Sequence, residues 1–161
     1  MFCWLNFCWD GELSVTLCMD GQKATKDHIK RSGVFSACLV TEQLLPLADR
    51  LARAKGEEKQ RTIAALAMEP GTNTPVLTES PLCYELEVKK TIPLDGSDIF
   101  VCCIVNTLVA PALVDGKVGY DLSKASPVSV SQNKYYGLKA LGDVSAAVLP
   151  QDLAGEEQRK A

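Results

Sequence analysis

A single histidine, His28, occurs in the 161 residues. That scarcity leaves a zinc site little support and gives a Ser–His–Asp triad only one candidate base. No G-x-S-x-G, G-x-G-x-x-G or G-x-x-x-x-G-K pattern is present, so α/β-hydrolase, Rossmann and P-loop chemistries have no footing. None of the seven cysteines (3, 8, 18, 38, 83, 102 and 103) stands at C-x-x-C spacing. Their number is odd, and the reading is of reduced, mostly buried thiols acting as small hydrophobes, with no metal site. No block of like charge reaches nucleic-acid-binding density, and the formal net charge is −3, which excludes a DNA or RNA surface as the main function. The apolar opening "MFCWLNFCW" stops at Asp10, too short to cross a bilayer. It also lacks the basic flank and small-residue cleavage site of a signal peptide. A cytoplasmic protein is expected, with no membrane partner.

What is present describes a foldable domain. Apolar residues make up 47% and charged residues 23%, a balance that suits one globular unit with a real core. "ELSVTLCM" alternates, with Leu13, Val15, Leu17 and Met19 on one face, so it reads as a half-buried strand. A helix over 25–32 follows, capped by Thr25 and stopped by Gly33, with Ile29 its one strong apolar anchor. Tertiary contacts must hold it. "VFSACLV" is again a strand. Thr41 caps "EQLLPLADRLARA", whose Leu44, Leu47, Ala48, Leu51 and Ala52 make one apolar helical face. "EEKQRTIAALAM" reads as another helix, and residues 70–80 as a loop.

The second half is β. "LCYELEVKK" sets Tyr84, Leu86 and Val88 against Glu85, Glu87 and Lys89. "DIFVCCIVNTLVA" is apolar on both faces, as a central strand buried from two sides would be. Within it the adjacent Cys102 and Cys103 face opposite ways. "GKVGYDL" and "PVSVSQNKYYGL" read as shorter strands or turns, and residues 150–161 as a polar tail. Strands with helices grouped between them point to a mainly β, antiparallel sheet or barrel with appended helices.

The sharpest local signal is "DGQKATKDHIKRSGVF". A turn at Asp20-Gly21 runs into a helix start crowded by Lys23, Lys26 and His28, where the backbone dipole already places partial positive charge. Unpaired N–H groups and a Thr25 hydroxyl at such a start suit a phosphate. The other reading is a solvated helix end with its lysines in water. Trp4 and Trp9 flank Asn6 at the apolar opening, either as core or as a wall for a flat ring.

Together these pieces resemble the flavin reductase-like, FMN-binding split-barrel family, which includes the flavoredoxins. "KATKDHIKRSGVF" is similar to the family's R-Y-T-x-E-L-I-x-x-S-G-x-F segment, in Lys23, Thr25, Ile29, Ser32-Gly33 and Phe35. "MFCWLNFCWDGELSVTL" resembles the strand beside the isoalloxazine, with Trp4 at its Trp position. "TEQLLPLADRLA", "TESPLCYELEVKKTIPLDGSDIFVCCIV" and "KYYGL" resemble the later helix, hairpin and Tyr-Tyr segment. Ala24 stands where the family has Tyr, Asp27-His28 where it has an acidic-apolar pair, Ser97 where it has His, and Cys102 where it has Gly. The family's first strand, ahead of the segment that opens this chain, is apparently missing.

The resemblance implies a split antiparallel β-barrel over 1–149 that assembles as a homodimer. It implies FMN as cofactor, bound by Cys3, Trp4, Leu5, Met19, Gly21, Gln22, Lys23, Ala24 and Thr25. It also implies NADH or NADPH as reductant, a second electron acceptor, and no catalytic acid or base, because the chemistry belongs to the cofactor. A flavoredoxin-like carrier serving a protein partner, a cofactor-free binding module and a pyridoxamine-phosphate-oxidase-like barrel are the other readings.

Overall fold

The computed structural model describes residues 4–116 and 119–140. Two strands open it, β1 (Trp4–Trp9) and β2 (Leu13–Asp20), followed by α1 (Ala24–Ser32) and β3 (Val34–Cys38). Two helices come next, α2 (Leu45–Arg53) and α3 (Gly56–Ala64), then a small hairpin of β4 (Met68–Pro70) and β5 (Pro75–Leu77). A long hairpin pairs β6 (Leu82–Leu94) with β7 (Ser97–Val109). Short strands β8 (Val114–Asp115), β9 (Gly119–Tyr120), β10 (Val128–Ser131) and β11 (Lys134–Gly137) finish the described chain. Among the described residues no helix is long and apolar enough to cross a membrane.

Five strands form one antiparallel sheet in the order β1-β2-β7-β6-β3, with β7 at its centre as its two-sided apolar pattern requires. The fold is mainly β, of the split antiparallel barrel type. The alternation in β2 places Val15, Leu17 and Met19 in the core with Leu86, Phe100, Cys102 and Ile29. Leu13, the fourth member of that face, lies at the strand mouth and is exposed. Asp95-Gly96 closes the β6–β7 hairpin in two residues, with Gly96 at a φ of 76° that favours glycine. Register shifts at Glu85/Leu86 and Val88/Lys90 interrupt the ladder, and bulges of this kind bend a hairpin.

Local rules set some boundaries and tertiary contacts set others. Gly33 ends α1 in the left-handed conformation, its N–H donating to the Ile29 carbonyl at 2.9 Å. At the other end Lys23, not Thr25, is the N-cap residue, and it makes no side-chain cap bond. Thr25 therefore lies inside the first turn. Thr41 accepts a hydrogen bond from the Leu44 N–H at 3.2 Å, yet α2 begins only at Leu45. Pro46 contributes to the delay: it has no N–H to give the Glu42 carbonyl, so the ladder opens with the Ala48 N–H on the Leu44 carbonyl at 2.9 Å.

The segment 70–80 is not wholly loop. Its β4–β5 hairpin encloses residues 72–74, whose N–H groups converge on the Glu85 carboxylate. Glu85 thus lies fully buried, where strand alternation alone placed it toward solvent. The helix over 57–68 is shorter than its pattern, since Met68 is drawn into this hairpin. The cysteines differ as well: the six described are free thiols, but only Cys83 and Cys102 are buried. Residues 150–161 and Cys3 lie outside the described residues.

Candidate functional site

A cleft of about 740 Å³ lies against the sheet. β1 and β2 contribute Leu5, Asn6, Leu17 and Met19, and α1 contributes Thr25 and Ile29. β3 supplies Phe35, Ser36, Ala37 and Cys38, while Tyr84 projects from β6. Leu51 of α2 and Lys59 and Ile63 of α3 line it too, with Val128, Ser129 and Val130 of β10. The lining is mostly aliphatic with a few hydroxyl, amide and thiol groups, a composition suited to a flat organic ligand fixed by few polar contacts.

One end of this cleft meets the start of α1, because Thr25 belongs to both. Helix geometry leaves the N–H groups of Ala24, Thr25 and Lys26 without intrahelical acceptors. The two lysines at this start are each already balanced by a carboxylate. Lys23 pairs with Asp20 three residues earlier, and that contact holds the Asp20 carboxyl below its ordinary range. Lys26 turns inward to Asp98 at 3.0 Å, which Lys30 also reaches at 2.9 Å. These two contacts, Lys30 first, draw the Asp98 carboxyl down. Lys26 is thereby committed to holding α1 on the β7 end, leaving Lys23 as the movable cation at the helix start.

Of the residues read from sequence, Leu5, Met19 and Thr25 line the cleft. Gly21, Gln22, Lys23 and Ala24 form the turn and first residue leading into α1. Gly21, at a φ of 62°, donates to the Gly96 carbonyl at 2.7 Å, which ties this turn to the β6–β7 hairpin. Trp4 opens β1, opposite Cys18 of β2. Trp9 is not core: it is 77% exposed.

The structure adds Tyr84, Cys38 and Ser36 to the cleft wall. Burial, then a hydrogen bond with the Tyr120 hydroxyl, pushes the Tyr84 phenol upward. Phe7 stacks edge-on against Tyr84 with ring centroids 5.8 Å apart. Ser36 donates to the Pro75 carbonyl at 2.7 Å. Cys38 faces Cys83 across the β3–β6 ladder, their Sγ atoms 2.8 Å apart. The Cys83 thiol, donating to Cys38, draws Cys38 down to about 7. Tyr84 was legible as an inward position of its strand, whereas the cysteine pairing needs the register of two distant strands.

The antiparallel sheet, with the start of α1 opening onto an apolar cleft, is a fold of the split-barrel type. The profile of the "Flavin reductase like domain" family matches residues 7–136, and the chain belongs to that family. Solved structures share the fold at low identity. Flavoredoxin of Desulfovibrio vulgaris (Miyazaki F) is 21% identical with a TM-score of 0.76, covering 89% of this chain and 80% of its own. Flavoredoxin from Methanosarcina acetivorans is 18% identical with a TM-score of 0.75, covering 91% and 78%. Nitrilotriacetate monooxygenase component B from Bacillus cereus is 17% identical with a TM-score of 0.76, covering 88% and 76%. No curated protein matches the chain.

Proposed function

We propose that this protein binds FMN in the cleft and passes electrons from a reduced nicotinamide, NADH or NADPH, to flavin or another acceptor, as a cytoplasmic homodimer. The observation that carries the reading is the continuity of the cleft with the first turn of α1, through Thr25. An apolar slot for a ring system thus runs into N–H donors suited to a phosphate. When bound, FMN supplies hydride acceptance and electron transfer at its ring. The chain's own residues bind and orient it. Leu5, Leu17, Met19 and Phe35 give the slot its apolar walls, and the Thr25 hydroxyl and the N–H groups of Ala24 to Lys26 face the phosphate. Lys23 exchanges its Asp20 partner for that phosphate, and Ala24 leaves the approach open where the family carries an aromatic ring. No side chain is assigned as acid or base.

Fluorescence titration with FMN tests the binding half of this proposal. Lys23→Glu is expected to weaken affinity by about 1–3 kcal/mol, the scale of a lost charge-assisted contact plus repulsion. Unchanged affinity removes Lys23 from the site. Anaerobic addition of NADH or NADPH to the loaded protein tests the other half through loss of the flavin absorbance band. Two of the similar folds are flavoredoxins, which favours a second reading: an FMN electron carrier serving a protein partner. That reading predicts flavin binding with no bleaching by either nicotinamide.

A further inference from the structure

We propose that Cys38 and Cys83 form a reversible dithiol–disulfide couple on the cleft wall that reacts with low-molecular-weight disulfides, Cys38 attacking and Cys83 resolving. The register places the two directly opposite each other on antiparallel strands. The next pair along, Leu39 and Leu82, is hydrogen-bonded, with the Leu39 N–H on the Leu82 carbonyl at 2.8 Å. Hydrogen-bonded and non-hydrogen-bonded pairs alternate, so Cys38 and Cys83 occupy a non-hydrogen-bonded site. Side chains approach most closely there, with Cα atoms about 4.5 Å apart. That separation falls inside the range a disulfide spans, about 4.4–6.8 Å. No backbone shift is needed to bring the sulfurs together.

The two thiols are unequal in ways that fit the two roles. Cys38 is half-buried and lines the cleft, so a small disulfide entering there meets it first. Cys83 is only 2% exposed, reachable by Cys38 and shielded from everything else. Its S–H bond to Cys38 favours the Cys38 thiolate, the reactive form. Cys102 shows the contrast: fully buried, it is pushed by burial up to about 12. The other described cysteines are not cross-strand partners of one another: Cys8 faces Ser14, and Cys18 faces Trp4 and Ile99.

The reaction balances without any further reagent. The Cys38 thiolate attacks a disulfide RSSR, forming a mixed disulfide and expelling RS⁻. The Cys83 sulfur, losing its proton, then attacks the Cys38 sulfur and expels the second RS⁻. The protein dithiol is oxidised by two electrons to Cys38–S–S–Cys83, and RSSR is reduced to two RSH. The pairing of the two cysteines does not depend on FMN, although a ligand filling the cleft would slow the approach of RSSR to Cys38.

The probe is oxidised glutathione, added to the reduced protein under non-denaturing conditions, with peptide mapping by mass spectrometry. The expected result is a linked Cys38–Cys83 peptide pair, lost again on adding reduced dithiothreitol, with the other thiols still alkylatable. Cys83→Ser is expected to trap glutathione on Cys38, and Cys38→Ser to leave Cys83 unmodified. The mapping on the unaltered protein stands even if a variant misfolds. Free Cys38 and Cys83 after equilibration with an excess of oxidised glutathione would overturn the proposal. So would equal labelling of all thiols, or disulfides formed only between chains.

Discussion

Glu85 shows how one residue reverses the rule for its strand. A carboxylate on a strand face points to water unless something else satisfies its oxygens. Here the N–H groups of Thr72, Asn73 and Thr74 donate at 3.0, 2.9 and 3.1 Å, and the Asn106 amide adds a fourth bond at 2.8 Å. Asn73 first, then Asn106 and Thr72, draw the carboxyl down to about 2. A depressed folded value gives stability that is fully present above the unfolded value of about 4.3 and is lost as pH falls toward 2. Glu85→Gln replaces one acceptor oxygen with a donor facing N–H groups. It is expected to lower Tm at neutral pH and to flatten the acid limb of a Tm-versus-pH curve between those two values. An unchanged acid limb would mean that another carboxylate controls it. Gly71 belongs to the same nest, since a Cβ there would run into the Thr74 carbonyl and the Glu85 carboxylate. Gly71→Ala is expected to cost about 1–3 kcal/mol in a urea melt. Cys102, packed in the core, is expected to cost about 1–2 kcal/mol as Cys102→Ala, while Cys103→Ala on the half-exposed face costs less than about 0.5 kcal/mol. Neither change should alter flavin affinity.

At the scale of elements, α1 depends on charge as much as on apolar contact. Ile29 and Lys26 are its buried residues, and Lys26 lies on Asp98 at the start of β7. The Asp98 carboxyl is depressed by Lys30 and Lys26, so its contribution is present above the unfolded value of about 3.9 and is lost below it. Asp98→Asn removes the shared anion and leaves the buried Lys26 ammonium without its carboxylate. The expected result is faster amide hydrogen exchange across 24–32 at pH 7, with β2 and β7 still protected. Equal loss in all three would mean that Asp98 holds the whole sheet and not this helix. This dependence also marks what was legible in the sequence. The strand of Val15, Leu17 and Met19, the two-sided run through Phe100 and the stop at Gly33 follow from local period and backbone freedom, which a single segment carries. The Glu85 nest, the Lys26–Asp98 pair and the Cys38–Cys83 pair join residues 11 to 72 positions apart, and only tertiary packing and strand register bring them together. The same division runs through the site. The turn and helix start at Gly21 to Thr25 were visible as a motif, while Ser36, Cys38, Tyr84 and Ser129 enter the cleft from elements whose placement no local pattern states.

At the scale of the whole molecule, the sheet among the described residues has two edges, β1 and β3. β1 presents Phe7 at 53% and Trp9 at 77% exposure, with Leu13 at 55% just beyond the turn. An edge strand offers unpaired backbone groups, and large apolar side chains beside it favour cover by another chain. β1 also borders the cleft through Leu5 and Asn6, and Phe7 packs on Tyr84 of its wall. A second copy seated on β1 would therefore buttress the cleft as well as cover the edge. The expected solution state is a homodimer, read by light scattering coupled to size exclusion. Trp9→Lys places a charge in the proposed contact and is expected to shift the protein toward monomer. Because the contact adjoins the cleft, the same substitution should weaken FMN binding, even though Trp9 does not line the cavity. A protein that is monomeric at micromolar concentration and binds FMN as tightly with lysine at position 9 would place the dimer contact elsewhere and make the cleft sufficient in one chain. A Trp9→Lys dimer with weakened flavin binding would instead mean that β1 acts within its own subunit, through the Phe7–Tyr84 contact.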